Sequence, residues 1–397
     1  MSNTAEHATQ RVWNALDEFR IELPSWGFSN TGTRFGKFVQ AAAATTIEEK
    51  FCDAAQVNAL TGASPSIALH VLWDLPGGIT DVPVIQALEK KHGVKAGSIN
   101  PNLFQNQEYK FGSIANPSAE IRQLALAHLL DSVAIGRELR SRDLSLWVAD
   151  GSNYPGTQSI CKRIGWMEEA LGATHAALAE DQRMLVEYKP FEPCFYHTDI
   201  ADWGMALELA RRAGPKAKVL VDTGHHYQGT NIEQIVVWLL HTGALGGFHF
   251  NDRKYADDDL TVGSIDPYQV FRIFYEIFSV GKEDRSGVAF MIDQSHNLKG
   301  KVEAMIQTVT VAQELYAKAA LVDRERLSEL QQGCALVEAE ECFRDAFWQD
   351  VRPIVREWRQ ERGLPADPLK ALHESGYIEK ITRDRADRNA GAVDSYA

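Results

Sequence analysis

Eight short segments, almost continuously apolar, recur through the first 320 or so residues at intervals of roughly 30 to 50 residues, with helical patterns between them. They span 21–29, 66–73, 94–102, 144–150, 184–190, 218–222, 247–251 and 288–293. A strand without a polar face has to be covered on both sides, and parallel sheets flanked by helices do that. Eight strands alternating with helices is the count of an α/β protein of the (β/α)8 TIM-barrel kind, although an open doubly wound sheet has the same rhythm.

The intervening helices carry local start signals. Asn116-Pro117 reads as a cap and first-turn proline ahead of an apolar stripe at Leu126, Leu129, Leu130 and Val133. Asp266-Pro267 opens a second stripe at Val270, Ile273, Phe274 and Ile277. Beyond Leu321 no strand is expected. A charged helical stretch (324–358) leads to a turn at Gly363-Leu364-Pro365, a short helix and a polar tail after Arg383. The expected division is a barrel over 1–320, with a short N-terminal helical segment, and a helical extension over 321–397. That extension packs on the barrel, packs on another subunit, or stands as a solvated helix with a frayed end.

Charge and cysteine usage narrow the function. With 41 Lys+Arg against 54 Asp+Glu the net charge is −13, and there is no local basic patch to offset the repulsion of phosphate backbones. Nucleic acid is therefore excluded in favour of a small, neutral substrate. Five scattered cysteines without C-x-x-C spacing fit neither a disulfide framework nor a thiolate zinc site. The N-terminus has no signal pattern and the longest apolar run, 235–240, is far short of a membrane span, so the expectation is a cytoplasmic protein.

The chemistry sits where the apolar pattern breaks. Strand five ends in Glu187-Tyr188-Lys189, strand six in Asp222-Thr223-Gly224-His225-His226, strand seven in His249-Phe250-Asn251-Asp252 and strand eight at Asp293. Strand two contributes His70, Trp73 and Asp74, and strand four Trp147 and Asp150. Singly, each is an ordinary core or turn residue. In a barrel, however, all of them gather at the C-terminal mouth, where active sites of this fold lie. Three carboxylates brought together with His249 repel one another and resist desolvation, which a divalent cation relieves. Oxygen ligands with one imidazole suit Mn²⁺, Mg²⁺ or Co²⁺ better than zinc. The loop after His249 carries Asp257-Asp258-Asp259, by itself readable as a solvated acidic loop or a helix cap. Its alternate carboxylates, Asp257 and Asp259, could join His225 around a second cation, with Asp222 bridging both.

Glu187-Tyr188-Lys189-Pro190 resembles the Glu-Pro-Lys-Pro segment of xylose isomerases, with Tyr188 in place of proline. The motifs His249-Phe250-Asn251-Asp252, Lys254-Tyr255, Asp257-Asp258-Asp259-Leu260 and Gly263-Ser264-Ile265-Asp266-Pro267 are similar to those of the broad-specificity bacterial L-rhamnose isomerases. So are Asp150-Gly151-Ser152-Asn153, Gly32-Thr33-Arg34-Phe35 and Ser375-Gly376-Tyr377-Ile378-Glu379-Lys380. The resemblance implies a homotetrameric barrel that interconverts aldose and ketose with two divalent ions, usually Mn²⁺. It implies Glu187, Asp222, His249 and Asp293 around a structural ion, and His225, Asp257 and Asp259 around a catalytic one. His70 and Asp293 then lie near the sugar's ring oxygen and its leaving position, and Trp147 and Lys189 against the sugar. The chain departs from the family in a shortened segment between strands seven and eight and in residues 38–46, which differ from a Pro/Gly-rich loop that reaches into the neighbouring subunit.

On this reading the catalytic residues are His70, Lys189 and Asp293, with His70 assisting ring opening through an imidazole titrating near neutrality. Substrate contacts fall to Trp73, Phe104, Trp147, Lys189 and His225, the aromatic rings facing the sugar's C–H side. Lys189 either contacts a hydroxyl or holds Glu187 by a salt bridge. Hydrogen then passes between C1 and C2 as a hydride or through an enediol. Three alternatives stand beside it. A ketose C3-epimerase would use one ion and two glutamates, against which the Asp257/Asp259 pair argues. A metal phosphodiesterase would need more histidine ligands and a basic face, and a sugar-binding barrel would not turn over.

Overall fold

The computed structural model describes residues 2–30, 38–192 and 196–390. After an N-terminal helix, Ser2–Glu18, eight parallel strands follow: β1 Leu23–Pro24, β2 Ser66–His70, β3 Lys95–Asn100, β4 Asp143–Leu146, β5 Arg183–Glu187, β6 Ala217–Asp222, β7 Leu245–Phe250 and β8 Ala289–Ile292. Each pairs with its sequence neighbours in order. Glu22 closes the circuit, its N–H donating to Phe290 O (2.8 Å) and its carbonyl accepting from Ile292 N (2.9 Å). The result is a (β/α)8 TIM barrel with helices between successive strands, and the open-sheet alternative falls. Each strand lies within its expected segment or within a residue or two of it, β1 being much the shortest.

Period-two alternation along the strands sorts side chains into two shells. Met184, Val186, Val219, Val221, Phe248, Phe250, Phe290 and Ile292 join the core between strands and helices, whereas Leu185, Leu220 and Met291 form a separate cluster inside the barrel. Two residues further along the same inward-facing rows come Glu187, Asp222 and Asp293, with His249 level with Asp222 and Met291 across the ladder. The apolar layer floors the barrel, and the polar layer directly above it opens to the C-terminal mouth. Glu22 is also inside, its carboxylate accepting from Ser66 Oγ (2.9 Å), Ser98 N (2.9 Å) and Ser98 Oγ (2.6 Å).

One of the two helix expectations needs amendment. The fourth long helix runs Ala119–Leu139 with Ser118 as N-cap, because Asn116 is spent on a turn, accepting from Ser118 N at 2.9 Å. Its buried face is Ala125, Leu129 and Val133, while Leu126 is half-buried and Leu130 exposed. Asp266 does cap Pro267–Ile277, accepting from Gln269 N, and all four of its stripe residues are buried.

After the 21-residue helix Lys301–Leu321, five helices wrap the barrel: Arg324–Gln332, Leu336–Trp348, Arg352–Glu361, Pro368–Glu374 and Tyr377–Ala390. Trp358 is buried with its indole N–H donating to Asp17 (2.9 Å), and Leu372 and Ile381 are buried as well. The residues after Arg383 are thus no polar tail up to Ala390: they are helical, with Arg385 and Asn389 buried. The four described cysteines are free, and Cys194 lies outside the described residues, as does Gly32-Thr33-Arg34-Phe35. Among the described residues no helix is long and apolar enough to cross a membrane.

Gly97 faces Glu22 so closely that an added Cβ would sit 1.5 Å from Oε2 of a carboxylate that three hydrogen bonds hold in place, one to Oε2 and two to Oε1. Gly97→Ala should lower unfolding free energy by about 1–3 kcal/mol through overpacking, read as a reduced urea midpoint.

Candidate metal centre

Glu187, Asp222, His249 and Asp293 offer ligand atoms that all lie within 4.8 Å of one another. They come from the ends of β5, β6 and β7 and from the residue after β8. His249 Nδ1 is 3.3 Å from Glu187 Oε2, 3.8 Å from Asp293 Oδ2 and 4.0 Å from Asp222 Oδ2. That nitrogen is buried without a hydrogen-bond partner. A lone pair aimed into a cage of carboxylate oxygens fits a hard divalent cation.

Hydrogen bonds from neighbouring groups orient two of the carboxylates. Asp293 Oδ1 accepts from Trp26 Nε1 at 2.8 Å, and Oδ2 is the atom nearer His249. Asp222 Oδ1 accepts from Gly224 N (2.7 Å), and both its oxygens lie within reach of Asn251 Nδ2 (3.0 and 3.1 Å). The electrostatics are those of a crowded anionic site. Burial, reinforced by the charges of Glu187 and Asp293, raises Asp222 to about 7. Burial would also raise Glu187, but His249 and His225 reverse it and hold the acid at about 2. Burial disfavours the His249 cation, yet Glu187, Asp293 and Asp222 raise it to about 9. The donor set therefore carries protons at neutral pH that a cation would displace.

The second group is contiguous with the first. His225 Nδ1 donates to Tyr188 O (3.1 Å), which leaves Nε2 as the nitrogen that a cation would take. Nε2 lies 3.2 Å from Asp257 Oδ1 and 4.0 Å from Asp222 Oδ2, and although burial disfavours the imidazole's charged form, those two acids raise it well above its ordinary range, so Nε2 carries a proton that a cation would displace. Asp258 turns the other way and accepts from the N–H groups of Lys254, Tyr255 and Ala256, closing the loop that presents Asp257 and Asp259. Both face the same cavity, and Asp259 adopts a left-handed φ of 45°, a region that short polar side chains tolerate. Burial and the charges of Asp257, Asp293 and Asp222 push the Asp259 carboxyl well up. Lys189 does not hold Glu187. Its ammonium pairs with Asp257 Oδ2 (2.6 Å) and Glu192 Oε2 (3.0 Å), the charges that keep it cationic against burial.

The cavity above these groups, about 260 Å³, is walled opposite the acids by Trp26, His70, Trp73, Phe104, Ser145 and Trp147. His70 stacks on Trp73 at 3.9 Å, Phe104 packs against Trp147 at 5.0 Å, and Lys189 lies 5.0 Å over the Trp147 ring. Every predicted site residue lines this cavity except Asp222, which is fully buried beneath it. The titration expected of His70 is displaced: burial among aromatic rings lowers it to about 4, so the imidazole is neutral at pH 7. Its Nδ1 is 3.3 Å from Val71 O, which makes Nδ1 the donor and leaves Nε2 as acceptor.

Other strand-end polar residues are structural. Asp74 accepts from Ser25 Oγ (2.5 Å), His70 N (2.7 Å) and Lys50 Nζ (2.6 Å). Asp150 accepts from Ser113 and Ala115. His226 pairs with Tyr188 Oη at 2.7 Å. Trp26, Ser145 and Asn251 are the residues that reading the sequence overlooked. Trp26 and Asn251 stood in or beside expected strand ends without a signal to separate them from rim packing. Ser145 is an inward-facing strand residue whose Oγ is buried without a partner.

No protein-family model matches the chain. It is 37% identical over 374 residues to a protein of Rhizobium meliloti named as a probable sugar isomerase, spanning 92% of this chain and 86% of the relative. A protein of Mesorhizobium japonicum with the same description is 37% identical over 377 residues, spanning 93% and 87%. Among solved structures, a xylose isomerase domain protein from Alicyclobacillus acidocaldarius superposes with a TM-score of 0.53 at 12% identity, over 76% of this chain and 99% of that one. At that identity the likeness concerns the fold alone.

Ligation requires His249 to be neutral and Asp222 ionised. Adding Mn²⁺ at pH 7 should therefore release protons from groups raised to about 9 and about 7. Calorimetric titration in buffers of different ionisation enthalpy reads the number released, and a heat independent of buffer would contradict the assignment.

Proposed function

The chain belongs to the sugar isomerase family of the two rhizobial proteins, and on that premise we propose that it is a metal-dependent aldose–ketose isomerase acting on L-rhamnose and L-rhamnulose. The observation that carries the reading is the meeting of two ligand groups, Glu187/Asp222/His249/Asp293 and His225/Asp257/Asp259, under one hexose-sized cavity with an aromatic wall. When bound there, divalent ions supply Lewis-acid polarisation of a carbonyl. We take them to be two, with Mn²⁺ favoured and Co²⁺ or Mg²⁺ as substitutes. The choice of rhamnose and the homotetramer rest on the motif resemblance, and a cytoplasmic setting on the scattered cysteines.

The chain's own residues provide the remainder. His70 is neutral, with Nε2 as acceptor, suited to taking the anomeric hydroxyl proton during ring opening rather than to delivering one. Lys189 stays cationic, keeps Asp257 in place and offers its remaining N–H to a sugar hydroxyl. Trp147 Nε1 and Ser145 Oγ, both lining the cavity and without partners, supply polar contacts for a polyhydroxylated ligand. Trp73 and Phe104 present apolar faces to its C–H side and to a terminal methyl group.

Chelator-treated protein should lose ketose formation from L-rhamnose and regain it with Mn²⁺ or Co²⁺; full activity without metal would overturn the reading. A panel of rhamnose, mannose, lyxose and allose, each with added Mn²⁺, ranks the substrates, and epimerised ketose without aldose would identify a C3-epimerase instead. Asp257→Asn should lower kcat by about 100-fold, on the scale of losing one preorganised electrostatic group, while thermal unfolding shows Tm within a few degrees of wild type.

A further inference from the structure

The last helix, Tyr377–Ala390, reaches the loop beside the metal centre through a relay of polar groups that starts from a buried amide and passes through half-buried Asn30 and Gln40. Asn389, 3% exposed, donates from Nδ2 to the carbonyls of Ala41 (2.9 Å) and Ala43 (3.0 Å), and its Oδ1 accepts from Asn30 Nδ2 (2.8 Å). Asn30 in turn grips the backbone of Gln40, accepting from its N–H (3.0 Å) and donating to its carbonyl (3.1 Å). The Gln40 side chain donates to Asn297 O (3.0 Å) and His296 O (3.3 Å), in the loop that follows Asp293. On its other side Asn30 follows Trp26 by four residues, and the Trp26 indole N–H holds Asp293 Oδ1 at 2.8 Å. One turn before Asn389, Arg385 fixes the helix with a bidentate pair to buried Asp53 (2.8 and 2.9 Å) and a bond to Ala42 O (2.7 Å).

Asn389 thus bonds both Asn30 and residues 41 and 43 of the chain that leaves β1, and that chain touches Asp293 directly through Trp26 and, through Gln40, the loop three and four residues beyond it. The Asn389 amide is satisfied mainly by Asn30, Ala41 and Ala43, so burying it ties the helix to these residues more than to the helix's own apolar face. We propose that Asn389 is a positioning residue for the metal centre: from outside the barrel it holds Trp26 and the 296–297 loop, and through them Asp293, in ligating position. The proposal rests on reading Glu187, Asp222, His249 and Asp293 as a divalent-cation site.

Calorimetric titration of the full chain with Mn²⁺ tests it without reference to turnover. Trp26→Phe, which removes the direct bond to Asp293, should weaken binding by about tenfold or more, the scale for groups that orient a ligand. Asn389→Ala and Asn30→Ala should each weaken it by about threefold to tenfold, and the double variant by no more than the larger single effect, because they cut one relay. Val355→Ala, in a buried position on the separate helix Arg352–Glu361, should lower Tm and leave Mn²⁺ affinity unchanged. Wild-type affinity in Asn389→Ala, or an equal loss in Val355→Ala, would overturn the proposal. Should Asn389→Ala fail to fold, half-buried Asn30 cuts the same bond from the opposite side, and wild-type affinity in Asn30→Ala would overturn it equally. A wild-type chain that binds no Mn²⁺ would instead overturn the metal reading on which the relay stands.

Discussion

Carboxylates held at the C-terminal ends of neighbouring strands repel one another, and the barrel forces that closeness on them. Glu187, Asp222 and Asp293 stand one inward-facing position above an apolar floor, with His249 in the same layer. The stagger between adjacent strands of a closed barrel turns successive strand ends toward a common axis. Two imidazoles answer part of the negative charge, and burial, reinforced by the excess that remains, pushes Asp222 and Asp259 up toward protonated forms whose protons a cation would release. The same arrangement makes the site and the fold interdependent, since a change in register would separate the ligands.

Around this layer the surrounding residues divide the work. One set presents ligands: Asn251 and the Gly224 N–H fix Asp222, Trp26 fixes Asp293, the Tyr188 carbonyl sets the His225 tautomer, and Asp258 folds the loop bearing Asp257 and Asp259. The other set shapes the space above, where a neutral His70 stacked on Trp73 faces the acids across the cavity. Burial against the aromatic wall accounts for the imidazole's neutrality, because it disfavours the cation more strongly than the Val71 carbonyl and the Asp74 charge favour it.

The helices after Leu321 belong to the same design. Polar contacts bind them to the body of the fold: buried Trp358 to Asp17, Arg359 to Gln313 and Arg385 to Asp53, with an exposed pair of Arg362 and Asp17 at the rim. Unmet buried polar groups are costly, so such contacts fix where each helix sits more sharply than apolar packing alone would. Through the final helix this specificity extends to the loop bordering Asp293.

Much of this was legible in the sequence, for reasons tied to particular residues. Strands covered on both faces are apolar throughout, so all eight stood out, and the acids and imidazoles that interrupt them marked the mouth before any contact was known. Asp266-Pro267 announced its helix because capping is local, whereas Asn116-Pro117 misled by two residues because Asn116 served a turn instead. The roles of Trp26 and Ser145, the partners of Lys189 and the low pKa of His70 depend on neighbours distant in the chain. Arg385 and Asn389 read as solvent-facing because polar residues usually are, and only Asp53 and the carbonyls of residues 41–43 make their burial favourable. The sequence by itself determined the strand count and which side chains could ligate, since hydrophobic periodicity and donor chemistry are written residue by residue. Which of them meet, and in what protonation state, was decided by the closed barrel, because distance and desolvation exist only once the chain has folded.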